Sequence, residues 1–172
     1  MNKRVCRIGV LLMLPLFVFS GCGQKAAIPP ITDGFTSHVA VEYREMLIEG
    51  DLTCGQDGAV AMDFTLPKSL YGVSLRWDGQ EMSIALGGMH LAVPAEKVPQ
   101  SALLCCLAGV LAADHEMDGT TDEGSVITGQ VDGKAYELVC DAKTGFPLRL
   151  SMPEEELEAT FTAFQLLESP AE

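Results

Sequence analysis

The sequence predicts a mainly β protein: a curved antiparallel sheet, or half-open β-barrel, packed on one central apolar helix. Three observations predict it. Most of the chain after residue 35 reads as short runs in which apolar and polar residues alternate, the period-two mark of half-buried strands. Those runs are cut by Asp-Gly pairs and related turn signals at hairpin spacing, which makes an antiparallel meander. After residue 35 one long stretch, residues 102–113, has no polar side chain and is rich in Ala and Leu, a composition that favours helix over strand.

The chain opens on a different texture. Lys3, Arg4 and Arg7 precede an apolar run over residues 8–19; Ser20 and Gly21 are small, and Cys22 follows. This is the layout of an export signal: a basic segment, a short apolar segment and a small-residue cleavage site. The apolar run is shorter than the roughly 20 residues a spanning helix needs, and Pro15 disfavours a long helix within it. The stretch Phe19-Ser20-Gly21-Cys22 resembles the bacterial lipobox, with Phe19 in place of the usual Leu. That resemblance implies a diacylglyceryl-modified Cys22 as the first residue of the mature protein. The alternative is an ordinary cleaved signal with Cys22 free or disulfide-bonded. Residues 23–32 lack periodicity and contain Pro29 and Pro30, which reads as an extended tether. The expected division is a signal at 1–21, lipidated Cys22 and tether at 22–32, the β domain at 33–168 and a tail at 169–172. The expected location is extracytoplasmic, held to the cell membrane by the lipid on Cys22.

Charge narrows the function classes. The whole chain has 11 basic and 24 acidic residues. Three of the basic residues and none of the acidic ones lie in the leader, so the mature chain keeps 8 against 24, a net charge of −16. Phosphate neutralisation needs a basic face, so nucleic acid is not an expected partner. A polybasic lipid-binding patch is excluded on the same ground.

The strands follow in order. Val39, Val41, Tyr43 and Leu47 share a parity and make an opening strand. Asp57-Gly58, Asp78-Gly79 and Asp132-Gly133 each read as a two-residue hairpin turn in which both residues take positive φ. The flanks support this: Val73, Leu75 and Trp77 alternate before the second pair, and Met82, Ile84 and Leu86 after it. Ile127 and Val131 precede the third, and Tyr136, Leu138 and Cys140 follow it. Lys143-Thr144-Gly145 reads as a three-residue turn. Pro147 marks the strand after it as an edge or an imperfectly paired one. The apolar stretch at 102–113, within a helical segment of about 99–115, starts after Pro99 and Ser101. A helix apolar all round must be covered on most sides, which places it on the concave face of the sheet. The last segment is ambiguous: Ser151 and Glu154 form a capping-box pattern, whereas Leu157, Ala159, Phe161 and Ala163 fit a strand.

These features together resemble the LolA/LolB-like lipoprotein-carrier superfamily, particularly small lipoproteins of this type from Firmicutes. The matching pieces span residues 35 to about 167. They are an opening strand at 35–48, Pro67, Leu70 and Gly72 in a Pro-x-x-Leu-x-Gly element, and Trp77-Asp78-Gly79. A Tyr136-x-Leu138 strand leading to Asp141, Thr144, Gly145 and Pro147, and a closing Phe161 to Phe164 segment, complete the set. The resemblance implies a half-open antiparallel barrel around helical elements, with a concave apolar face that takes up acyl chains or other hydrophobic ligands. It also tips the ambiguous last segment to strand.

The expected function is therefore an anchored, non-enzymatic lipoprotein that binds lipid or another hydrophobic ligand. Val41, Tyr43, Leu75, Trp77 and Leu138 are candidate groove residues, because they lie on apolar strand faces; each is also a candidate for plain core. The alternatives are a non-catalytic envelope assembly lipoprotein with a filled core, and a hydrolase. Adjacent Cys105 and Cys106 point about 100° apart on a helix and do not suit mutual bonding. Cys54 and Cys140 are read as buried thiols, or as partners of a helix cysteine in one disulfide. His115, Glu116, Asp118, Asp122 and Glu123 lack regular cation-ligand spacing and are read as a solvated acidic loop. His38 and His90 are read as structural. No cofactor, metal or catalytic residue is expected, and the oligomeric state is not specified.

Overall fold

The computed structural model describes residues 34–113 and 117–167. Eleven strands form one sheet: β1 (Phe35–Tyr43), β2 (Met46–Cys54), β3 (Val60–Leu66), β4 (Val73–Trp77), β5 (Glu81–Leu86), β6 (Met89–Pro94), β7 (Met117–Thr120), β8 (Ser125–Val131), β9 (Lys134–Cys140), β10 (Pro147–Met152) and β11 (Leu157–Leu166). The only α-helix among the described residues, α1 (Leu103–Leu111), joins β6 to β7. Sheet order is β6-β5-β4-β3-β2-β1-β11-β10-β9-β8-β7. Two meanders are thus stitched together by antiparallel pairing of the first strand with the last, Val39 opposite Phe161 and Val41 opposite Ala159. All pairs are antiparallel, and β6 and β7 are left as edges, so the sheet is open.

Curvature follows from where α1 rests. The helix packs on β3 and β4, and also on β8. In a flat sheet β3 and β8 would stand six strand spacings apart, about 29 Å. A nine-residue helix is about 14 Å long. Both contacts are possible only because the sheet curls around the helix. Leu104, Leu107 and Val110 of α1 are fully buried in that concavity against Leu52, Met62, Ile127, Leu138, Leu150 and Leu157. Among the described residues the buried core runs from Phe35 to Phe161. Close approach is needed at Gly109, where a Cβ would lie 2.6 Å from a Val131 methyl.

The helix is shorter than expected. Residues 99–102 and 112–113 are non-helical, and Ala102 is the N-cap with extended backbone. The opening strand also differs from expectation. It ends at Tyr43, and Arg44 and Glu45, with φ of 49° and 66°, turn the chain straight into β2. The turn reverses the parity: Ile48 faces the core and Leu47 is exposed. Arg44 is held there by an ion pair of 2.8 Å from its Nη2 to Glu155 Oε2. Lys134 Nζ donates to the other oxygen of the same buried carboxylate, so Glu155 ties together three turns.

Of the three Asp-Gly pairs, only Asp132-Gly133 makes a two-residue turn with both residues at positive φ, 53° and 79°. Asp57 lies in a loop between paired Cys54 and Val60, where its carboxylate accepts from the Ala59 amide. Asp78 caps a loop between paired Trp77 and Met82, accepting from the amides of Gln80 and Glu81. These bonds, that from Glu81 first, hold the Asp78 carboxyl below its usual range. A further two-residue hairpin, Gly87-Gly88, joins β5 to β6, with φ of 56° and 85°. The turn at Lys143-Thr144-Gly145 is built on Asp141, which accepts from the amides of Lys143 and Thr144. Pro147 opens an interior strand, not an edge, and the pairing of β10 with β9 shifts register just after it. Part of the expected acidic loop is strand β7, where Asp118 accepts from the Thr128 amide at 3.0 Å. His115 and Glu116 lie outside the described residues. The last segment is strand, β11. At that end of the sheet Phe146 stacks on Phe164 at 4.7 Å, and Phe35 lies within 6 Å of both rings.

Candidate functional site

Side chains alternate faces along a strand, and residues paired across strands share a face. The inward faces of β2 and β3 therefore continue onto β4, β5 and β6 as cross-strand rows. One row is Leu52, Met62, Leu75, Ile84 and Leu91. A second is Cys54, Val60, Trp77, Met82 and Val93. A third carries Val73, Leu86 and Met89. Each row is apolar from end to end. Burial is not uniform along them. In the first row Leu52 is 0% exposed, Leu75 and Ile84 are half-buried and Leu91 is 59% exposed. In the third, Leu86 is 43% and Met89 68% exposed. The helix covers β3 and β4; the same apolar face then runs out from under it to the β6 edge.

The five candidate groove residues fall into three groups. Leu75 and Trp77 lie on the face that leaves the core. Val41 and Leu138 are fully buried among core side chains. Tyr43 is half-buried, and its hydroxyl donates to the Ser101 carbonyl, just before α1. Burial raises its pKa, although the Arg44 guanidinium, 4.9 Å from the ring centroid, opposes the rise. A neutral Tyr43 thereby keeps the start of the helix in place over the sheet. Cys22 lies outside the described residues. Sequence reasoning named neither Ile84 nor Leu86 as site residues and missed Met89, Leu91 and Val93, which alternate after Gly87-Gly88.

The remaining chemistry is sparse. No group of His, Cys, Asp and Glu among the described residues could hold a metal ion. Cys54, Cys105, Cys106 and Cys140 are free. Burial pushes the thiols of Cys54 and Cys140 up to about 12, and desolvation also raises Cys105 and Cys106. Such thiols are protonated and poorly nucleophilic at neutral pH. His38 Nδ1 lies 3.0 Å from Asp51 Oδ1 in an exposed pair. A shallow cavity of about 530 Å³ on β8, β9 and β10 is lined by Tyr136, Ala135 and Pro153 together with Thr128, Gln130 and Glu137. No helix among the described residues is long and apolar enough to cross a membrane.

No protein-family model matches this chain, and no curated protein does. Solved structures are similar in shape. An uncharacterized conserved protein from Thermus thermophilus is 15% identical, with a TM-score of 0.55 over 81% of this chain and 82% of that one. A LolA superfamily protein from Nitrosomonas europaea is 8% identical, with a TM-score of 0.41 over 85% and 90%. LprF from Mycobacterium bovis is 13% identical, with a TM-score of 0.37 over 80% and 88%. The Thermus protein shares the fold, and at this identity the likeness extends to the fold alone. The two lower scores carry no argument for function.

Proposed function

We propose that this protein is a membrane-anchored extracytoplasmic lipoprotein whose β domain binds a hydrophobic ligand, lipid or acyl chains, on the concave face between β3 and β6. The observation that carries the reading is the run of apolar rows from the sealed core at Leu52 to the open edge at Leu91. Soluble domains bury or interrupt such a face unless something occupies it. Its shape suits a long apolar ligand: parallel rows, no charged side chain pointing inward, and a helix closing one side. Each methylene of an acyl chain laid there would contribute about 0.8 kcal/mol. The role is carriage or storage and not catalysis. The anchor rests on the export signal and the Cys22 motif, with residues 23–32 as the tether.

Two experiments test this. Residues 33–172, which include the whole described core, are expressed and purified, and the solvent extract is examined by mass spectrometry for co-purified lipid. A hydrophobic fluorophore is titrated in parallel. Lipid in the extract, or saturable fluorophore binding, is expected; absence of both overturns the ligand reading and leaves the envelope assembly protein with a filled core. For the anchor, Cys22→Ala in the full chain is expected to leave the membrane fraction. Retention there would show that lipid on Cys22 is not what holds the protein.

A further inference from the structure

The exposed apolar side chains are not scattered. Eight large hydrophobic residues are exposed among the described residues. Successive hairpins of a meander alternate ends, so the β1–β2, β3–β4 and β5–β6 connections open at one end of the sheet. Leu66 and Tyr71 flank the second of these connections, and Leu86 and Met89 flank the third. Met46 and Leu47 follow the first, and Leu91 lies two residues into β6. Leu166 alone is at the other end, opposite Phe35.

Charge is partitioned along the β3–β6 wing as well. Residues 64–95 contain two of the chain's 24 acidic residues, Asp78 and Glu81. Both sit at the β4–β5 loop, the end of the wing away from the apolar rim. The stretches 64–77 and 82–95 hold no carboxylate, and Lys68 and Arg76 are their basic residues. A ligand inside the concavity does not account for this. Tyr71 stands in the connection outside the rows, and it is the most exposed of the eight, at 73%. A flat apolar medium does account for it. Carboxylates are costly to bring against lipid, and a rim of Leu, Met and Tyr is the side-chain set that settles at a bilayer interface.

We infer that this end of the β3–β6 wing is a membrane-contact surface, which seats on a phospholipid bilayer through the β3–β4 and β5–β6 connections. The acidic turns at the same end, at Arg44-Glu45 and 153–156, lie beyond β2 and outside this contact. The contact is apolar, since two basic residues do not make a polybasic patch. It is independent of the lipid on Cys22. That the concave face then opens onto the lipid, so that a ligand could pass between bilayer and groove, rests on the ligand reading above.

The test uses residues 33–172, which lack Cys22, with phosphatidylcholine vesicles in a flotation assay. The protein is expected to float with the vesicles, and to do so equally at about 1 M salt. The double variant Tyr71→Glu, Met89→Glu changes two exposed side chains. It is expected to lower partitioning about tenfold or more, with an unchanged circular dichroism spectrum. No flotation of the wild-type protein overturns the inference, as does a folded double variant that floats equally well. A wild-type protein that stays off the vesicles and sediments as a dimer, with the double variant monomeric, also overturns it and makes the wing an interface between copies. Fluorophore binding in the same preparations separates the two readings. Binding without flotation sinks the membrane contact alone, and flotation with neither fluorophore binding nor co-purified lipid sinks the groove alone.

Discussion

The row from Leu52 to Leu91 permits one substitution, Leu to Ala, to be made at both ends of a single apolar line. Leu52 is 0% exposed. Removing three carbons there loses about 2.4 kcal/mol of transfer free energy at about 0.8 kcal/mol each, and the cavity left behind raises the cost to about 3 kcal/mol. Leu91 is 59% exposed. About two-fifths of the transfer free energy is at stake there, about 1 kcal/mol, and water reaches the space, so no cavity cost is added. Urea unfolding followed by the fluorescence of Trp77, the chain's one tryptophan, reads both. With a slope of about 2 kcal/mol per molar, the midpoint falls by about 1.5 M for Leu52→Ala and about 0.5 M for Leu91→Ala. Ligand affinity should order the other way. Leu91→Ala is expected to weaken hydrophobic ligand binding about fivefold, the equivalent of 1 kcal/mol. Equal stability costs at the two positions, or a Leu91→Ala protein that binds as tightly as wild type, would refute the distinction between core and site.

Three further predictions test the framework that holds the face open. Glu155→Ala removes a buried carboxylate shared by Arg44 and Lys134; because both cations are partly solvated, the expected loss is about 2 kcal/mol, read as a fall in the urea midpoint. Glu45→Gly relieves a left-handed backbone, φ 66°, and is expected to stabilise by about 0.5 kcal/mol after the entropy of glycine is set against it; an unchanged or lower midpoint contradicts the strain argument. The thiols of Cys54 and Cys140 are raised from 9.0 to about 12 in the fold. The unfolded chain releases these protons first, so their contribution is fully present below pH 9 and is lost as pH rises towards 12. Stability measured across that window should fall, and Cys54→Ala with Cys140→Ala should flatten the fall.

Periodicity made much of the sheet legible. Alternation identified β4, β5, β8 and β9, because each turns one apolar face inward. The apolar run at 102–113 located the helix and the need to cover it, although not its ends. What stayed hidden had local causes. The Arg44-Glu45 turn carries no Gly, Asn or Asp; tertiary contacts through Glu155 hold it in a conformation its own residues do not announce. Met89, Leu91 and Val93 alternate as clearly as any strand, and the signal that introduces them is Gly87-Gly88 rather than Asp-Gly. Capping carboxylates at Asp57 and Asp78 turned expected two-residue hairpins into longer loops. As for the candidate site, alternation shows which residues share a face but not which part of it the helix covers. Hence Val41 and Leu138 could not be told from Leu75 and Trp77 before the sheet's order was known.

Trp77 lies on the apolar face beside Met82, in the row that runs on to Val93, and reports on its occupancy directly. Residues 33–172 titrated with a brominated fatty acid should show saturable quenching of Trp77 fluorescence, reversed by the unlabelled fatty acid. A folded protein whose Trp77 emission is untouched by the brominated chain would contradict a ligand site on this face.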